Sequence, residues 1–331
     1  MEKRFYKFSA FAVMLSLIMA VAVSVAPARE RYVSVEKDGF IKWVDFNVTY
    51  NALADCLAYD TDTYGTEQHA DWIDLLAVLA ARGSGTFKGY KTSDLSKITD
   101  EIAKGRKIEE IAENLKSFPY YKEAYTAVLG GFVGEYEIES DDGTFEKKYG
   151  LRVFSPIAKG YSYSHFDDFG ASRSYGFRRK HLGHDMMGSV GTPVVAVESG
   201  YVECLGWNQY GGWRIGIRSF DRKRYYYYAH LRRDHPYNDM YEGKFVTAGD
   251  VIGYLGMTGY STKENVNNID TPHLHWGMQL IFDESQKDAV SEIWIDVYAI
   301  TRLLEKNRSA VEKIEKEYQR KYNMFIPGME F

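Results

Sequence analysis

The chain has 331 residues, of which 45% are hydrophobic and 26% charged. That balance excludes wholesale disorder, collagen-like repeats and a polytopic membrane protein, and the length suggests about two domains of roughly 150 residues each. Lysine and arginine number 41 against 46 aspartates and glutamates, a net charge of -5, so the chain lacks the bulk basic charge of a nucleic-acid-binding protein. Two cysteines supply neither a disulfide scaffold nor a four-thiolate zinc site. The 27 tyrosines point to a β-rich region with aromatic surfaces.

The amino-terminal segment reads as an address. Lys3, Arg4 and Lys7 precede an apolar run from Phe8 to Val25, and the small-x-small step Ala26-Pro27-Ala28 follows. These parts make an export signal over residues 1–28. The run is also just long enough to span a bilayer, so an uncleaved signal anchor is the alternative. Either way the body of the protein is expected outside the cytoplasmic membrane, secreted or associated with the cell wall or envelope. Contact with the membrane then requires that the anchor is kept.

From residue 40 to 130 the apolar positions recur at helical spacing. Phe46, Tyr50, Leu53 and Leu57 form one stripe; Trp72, Leu75, Leu76 and Leu79 form a second, stopped by Gly83. Leu95, Ile98 and Ile102 make a third, with Ser93 as N-cap and Gly105 beyond its end. Ile108, Ile111 and Leu115 make a fourth, halted by Pro119, and a short fifth helix runs over roughly 121–129 to Gly130-Gly131. Core packing between helices accounts for every stripe. The only histidine here is His69, and no chemistry clusters around it.

After Gly131 the pattern changes. Residues 132–139 and 144–149 flank Asp142-Gly143, a β-hairpin with a tight turn. Short apolar runs punctuated by glycine follow, such as VVAVESGYVECLGW, WRIGIRSF, RYYYYAHL and DVIGYLG. They predict an antiparallel sheet or small barrel. The tail returns to helical period at Val311, Ile314, Tyr318 and Tyr322. The expected fold class is therefore α+β: a helical domain over 29–130, a mainly antiparallel, barrel-like β domain over 131–298, and a carboxy-terminal helix over 299–331.

Seven of the eight histidines lie between His165 and His275. Two spacings carry chemistry: His181-Leu182-Gly183-His184-Asp185, and His273-Leu274-His275. On a strand, residues two apart project from one face, so His273 and His275 can share a site, one on a metal and one on substrate. Imidazole and carboxylate donors favour zinc, and two histidines with one aspartate leave a fourth position open, as in catalytic sites. Calcium and magnesium prefer all-oxygen shells.

Residues from about 167 to 280 resemble the LytM/lysostaphin-type zinc peptidases, peptidase family M23. The matching stretches are FRRKHLGHD at 177–185, GTPV at 191–194, YAHL at 228–231, VTAGDVIG at 246–253, GMTGYS at 256–261 and PHLH at 272–275. The resemblance implies one zinc ion held by His181, Asp185 and His275, with His230 and His273 as the catalytic histidines. It also implies hydrolysis of peptide bonds in bacterial peptidoglycan, with stem or crossbridge peptides as substrate. Many relatives pass from the G-x-S step to P-H-L-H in a few residues; here Lys263–Thr271 intervene, and that longer loop is placed to wall a groove.

The remaining candidates carry less. His184 points away from Asp185 if its segment is extended, and His165 and His235 read as loop residues. Cys56 and Cys204 read as free thiols, although export permits a disulfide. Trp207 and Trp213 are candidates to line a groove, whereas Trp276, beside His275, belongs to the opposite strand face. The alternative to an enzyme is a non-catalytic envelope adaptor or morphogenesis protein that uses the same domain to bind a partner. The helical front is an inhibitory segment, a spacer or a module that binds a protein partner.

Overall fold

The computed structural model describes residues 41–175, 177–287 and 291–328. The export segment expected over residues 1–28 lies outside the described residues. Five helices come first: α1 Tyr50–Thr63, α2 Trp72–Arg82, α3 Thr92–Ala103, α4 Ile108–Ala112 and α5 Phe118–Leu129. None of the described helices is long and apolar enough to cross a membrane. Asp71 caps α2 by accepting from the Ile73 N–H at 2.7 Å, and Gly83 ends it. From Leu75 to Ala80 every residue of α2 is buried, so this is a helix enclosed on all sides. Helix α3 starts earlier than Ser93 would set it, because Asp94 reaches back to accept from the Lys91 N–H. Pro119 lies in the first turn of α5; there it costs no helical hydrogen bond, so it opens a helix as well as closing off the one before.

The β-rich part contains β1 Val133–Glu139, β2 Phe145–Leu151, β3 Tyr163–Phe166, β4 Ser172–Tyr175, β5 Phe177–Lys180 and β6 His184–Gly188. It continues with β7 Pro193–Val195, β8 Gly200–Asn208, β9 Gly212–Ser219, β10 Arg224–Ala229, β11 Phe245–Val246, β12 Val251–Tyr254, β13 His273–Leu280 and β14 Ile293–Ile295. Among the described residues the main sheet runs β11-β8-β9-β10-β13-β6-β3, with β14 also on β13. All its ladders are antiparallel. The architecture is α+β with a helical amino-terminal region, as expected.

Alternation along the central strands sorts their side chains. Tyr226, Tyr228, Trp276 and Met278 are fully buried on one face, and Tyr228 pairs with Trp276 across β10 and β13. Tyr227, Ala229, His273 and His275 take the other face and line a groove. Trp207 and Trp213 pack edge to face on each other and do not line it; Trp294 does.

The tail departs from expectation. Helix α6 covers only Tyr298–Leu304, and β15 Val311–Ile314, β16 Glu317–Arg320 and β17 Met324–Phe325 follow. No helix spans 299–331. Val311 and Tyr318 lie on one face of the β15–β16 hairpin, where Val311 pairs with Arg320 and Lys313 with Tyr318, and both pack on the core. Hairpin pairing therefore satisfies the same apolar spacing that suggested a helix. Glu315 turns the hairpin at φ 55°, and β17 joins β1 in a separate small sheet.

Residue 131, the expected boundary, falls between α5 and β1, and contacts cross it. Arg224 of β10 is buried and donates to Ala127 O in α5 at 2.8 Å. It also donates to both carboxylate oxygens of buried Glu198, at 2.7 and 3.0 Å. Tyr226 OH donates to Glu198 as well. Gly131 faces this pair so closely that an added Cβ would stand 1.6 Å from Glu198 Oε1. Breaking a buried pair leaves an uncompensated charge, at a cost of about 3–5 kcal/mol. Glu198→Ala should lower unfolding stability by that order in urea titration, while Glu123→Ala on the exposed side of α5 should lie within about 0.5 kcal/mol of wild type.

Candidate active site

Five sequence-predicted side chains come together on the groove face of the sheet. Asp185 is the second residue of β6, and His273 and His275 open β13, where His275 pairs directly with Asp185. His181 follows β5 in a short loop, and His230 follows β10 with φ 61°, a left-handed conformation that is uncommon for a non-glycine residue. The groove they line has a volume of about 1040 Å³.

Three donor atoms converge. His181 Nε2 lies 3.0 Å from Asp185 Oδ1 and 2.9 Å from His275 Nδ1, and His275 Nδ1 lies 2.9 Å from the same Asp185 oxygen. A triangle this small lets all three reach one cation at the ~2.0–2.2 Å usual for zinc. His181, Asp185 and His275 thus form a candidate metal site. Burial would raise the Asp185 carboxyl, but hydrogen bonds from His181 and His275 outweigh it and hold the group far below the usual carboxylate range. Burial keeps His275 below the ordinary imidazole value, so its neutral form is favoured. Neutral imidazole and ionised carboxylate are the states that ligate metals.

Around this triangle are two side chains the sequence did not single out. Asp168 Oδ1 lies 2.7 Å from His181 Nδ1, close but off the line of a hydrogen bond. Arg173 bridges Asp168 at 2.6 Å and Asp185 at 3.3 Å. Gly183 passes under the His275 ring: a Cβ there would stand 2.6 Å from two ring atoms and 2.7 Å from Trp276 O.

The other two histidines are anchored by backbone. His230 Nδ1 is 2.9 Å from Thr258 O, and His273 Nδ1 is 2.8 Å from Thr271 O. A carbonyl only accepts, so each Nδ1 carries the proton and each neutral ring keeps its lone pair on Nε2. Their ring centroids are 4.8 Å apart. Burial, reinforced by His273 and His275, holds His230 well below the ordinary imidazole range. The anticipated loop contributes as well: Asn268, Ile269, Asp270 and Thr271 form part of the groove wall.

His184 faces the other side of the sheet, where its Nε2 meets His165 Nδ1 at 2.7 Å. His165, on β3 rather than in a loop, in turn meets Glu305 at 2.5 Å. Burial first, then the neighbouring His165, push His184 down to about 3. His235 is bound to Glu317 far from the cluster. Cys56 and Cys204 are both free thiols.

One groove of the antiparallel sheet thus carries a three-donor candidate metal site and two imidazoles anchored through Nδ1 to backbone. Residues 179–289 match the model of Peptidase family M23, the family whose motifs this segment resembles. The L-Ala--D-Glu endopeptidase of Bacillus subtilis (strain 168) is 41% identical over 123 residues, 37% of this chain and 36% of that protein. Lysostaphin of Staphylococcus staphylolyticus is 40% identical over 97 residues, 29% of this chain and 18% of that protein. The chain therefore spans about a third or less of the length of these relatives. A crystal structure from Ruminococcus gnavus ATCC 29149, provisionally described as a glycyl-glycine endopeptidase lytM, covers 84% of this chain and 94% of its own at 24% identity, with a TM-score of 0.54. That likeness is one of fold.

Gly183→Ala should push His275 out of the triangle. Overpacking of this kind costs about 1–3 kcal/mol, and the variant should show a lower melting temperature and a smaller rise on adding zinc than wild type, both read by differential scanning fluorimetry.

Proposed function

We propose that the protein is an exported zinc endopeptidase that hydrolyses peptide bonds of bacterial cell-wall peptidoglycan. The reading rests above all on the convergence of His181 Nε2, Asp185 Oδ1 and His275 Nδ1 within 3.0 Å of one another, beside two imidazoles with free Nε2 atoms. The names of the two relatives, an L-Ala--D-Glu endopeptidase and lysostaphin, support stem or crossbridge peptides as substrate. Export rests on the Lys3–Ala28 pattern. In this reading residues 131–298 hold the chemistry.

His181, Asp185 and His275 would hold the ion, and the donor set of two imidazoles and one carboxylate with an open fourth position suits zinc. When bound, zinc supplies Lewis acidity that acidifies water and polarises a peptide carbonyl. The rest falls to His230 and His273. The water oxygen attacks the carbonyl carbon while the Nε2 of one of them accepts its proton. That Nε2–H then donates to the oxyanion and delivers the proton to the departing amine as the C–N bond breaks. Tethering Nδ1 of both rings to backbone carbonyls keeps Nε2 oriented without side-chain searching.

The purified protein should contain about one zinc per chain by elemental analysis, and chelation should lower its melting temperature, since an ion bound only by the folded form stabilises it. His275→Ala should lose stoichiometric zinc; full zinc in that variant would refute the ligand set. His230→Ala and His273→Ala should keep zinc and fold but lose about 10²–10⁴-fold in peptidoglycan hydrolysis, followed as fragments released from purified sacculi. Wild-type rates in both would remove their assigned role, and absent hydrolysis by zinc-loaded wild type would favour the adaptor.

A further inference from the structure

The chemistry described so far uses one end of the groove. The same groove holds two arginines with no assigned role. Continuing the β9–β10 register one residue past Ile215↔Tyr228 sets Arg214 opposite Ala229, which pairs with His275, which pairs with Asp185. Arg214, Ala229, His275 and Asp185 therefore form one row across four neighbouring strands, on the groove face. At about 4.8 Å per strand, the Arg214 backbone stands roughly 10 Å from that of His275. Only the methyl of Ala229 lies between them.

Arg214 donates through Nη1 to Cys204 Sγ at 2.8 Å, while its Nε is buried without a hydrogen-bond partner. Arg179 enters the groove from β5. Its guanidinium lies 4.9 Å from the Tyr210 ring centroid and 5.1 Å from that of Tyr260, and its Nη1 is likewise buried without a partner. Both cations act on the phenol of Tyr227, whose ring is 5.9 Å from that of His275. Of the carboxylates nearby, Glu203 meets Lys287 through Oε1, Glu292 accepts from the Trp294 indole, and Asp185 is held by the histidines and Arg173. Among the described residues neither Arg214 nor Arg179 has a carboxylate partner.

Buried guanidinium N–H groups without acceptors are costly to leave unmade, and a planar fork fits a carboxylate better than any neutral group. We propose that Arg214 and Arg179 form a carboxylate-binding subsite, so that this protein recognises an acidic peptide carrying a free carboxylate beside the bond placed at His275. The proposal rests on the peptidase reading for its substrate class and narrows it: an acidic stem peptide, rather than a run of uncharged glycines, is the preferred occupant.

Binding can be measured apart from cleavage. Two stem peptides, one with a free α-carboxylate on its glutamyl residue and one with that group as carboxamide, are backbone N-methylated so that neither can be cut. Each is titrated calorimetrically into the full chain, with hydrolysis of purified sacculi followed in parallel. The acid should bind about 10- to 100-fold more tightly than the amide, the usual range for a charge-assisted hydrogen bond. Arg214→Gln should collapse the ratio towards one, and Arg214→Lys, which keeps charge without the fork, should retain part of it. Equal binding of both peptides by wild type overturns the proposal, as does no binding of either, or an Arg214→Gln effect that weakens both alike. Should Arg214→Gln fail to fold, Arg179→Gln and the wild-type acid-to-amide ratio decide. Sacculus hydrolysis with no acid preference defeats the subsite alone; acid preference without hydrolysis defeats the peptidase reading alone.

Discussion

The antiparallel register that sets His275 opposite Asp185 is the constraint on which the site depends. A strand's side chains alternate, so a slip of one residue would carry every groove-facing group to the core face and the reverse. The same ladder sets Trp276 opposite His184, and Trp276 is completely buried. Exposing an indole of that size would forfeit several kcal/mol of apolar burial. The donors on one face are thus held in register by packing on the other. The helical layer contributes to the same end through Arg224, which joins Ala127 of α5 to Glu198 behind β10.

Burial then decides protonation. Asp185, His230 and His275 are removed from water, and burial works against a charge on each. For the two histidines the result is a neutral ring. For Asp185 the hydrogen bonds from His181 and His275 overturn the burial effect, and the carboxylate stays ionised. A cluster with an ionised carboxylate among imidazole donors attracts a cation, and its donor atoms stand close enough to share one. Arg173 stands beside that charge and beside Asp168 without entering the triangle.

What was legible in the sequence was local. The two-residue step from His273 to His275 survives translation into a strand, because a period of two keeps neighbours on one face, and the short loop between β5 and β6 brings His181 back onto Asp185. The helical stripes of α1 to α3 were equally legible, for Gly83 and the apolar spacing act over a single turn. Groups brought in from a distance were not. Thr258 O and Thr271 O are backbone atoms with no residue-type signal, and Asp168 and Arg214 sit in segments whose spacing says nothing about the groove. The tail misled because Val311 and Tyr318 are seven apart, which is two helical turns but also one face of a hairpin turning at Glu315. Local period could not choose between them, and tertiary pairing did.

A division of labour follows across the sheet. In the proposed reaction the chemistry is concentrated on β6, β13 and the end of β10, where register and burial leave little freedom for change. Discrimination is placed outward, on Arg214 of β9, Arg179 of β5 and the 263–271 loop, none of which contributes an atom to the His181–Asp185–His275 triangle. A side chain at these outer positions can change charge without disturbing the Trp276 packing that holds the donors. The row from Arg214 through Ala229 to His275 makes the coupling between the two zones geometric: it sets the distance at which a substrate must carry its charge from the bond to be cut. With a larger residue in place of Ala229, the row would be blocked and the two zones would be separate sites. The small side chain at that position is what makes them one groove.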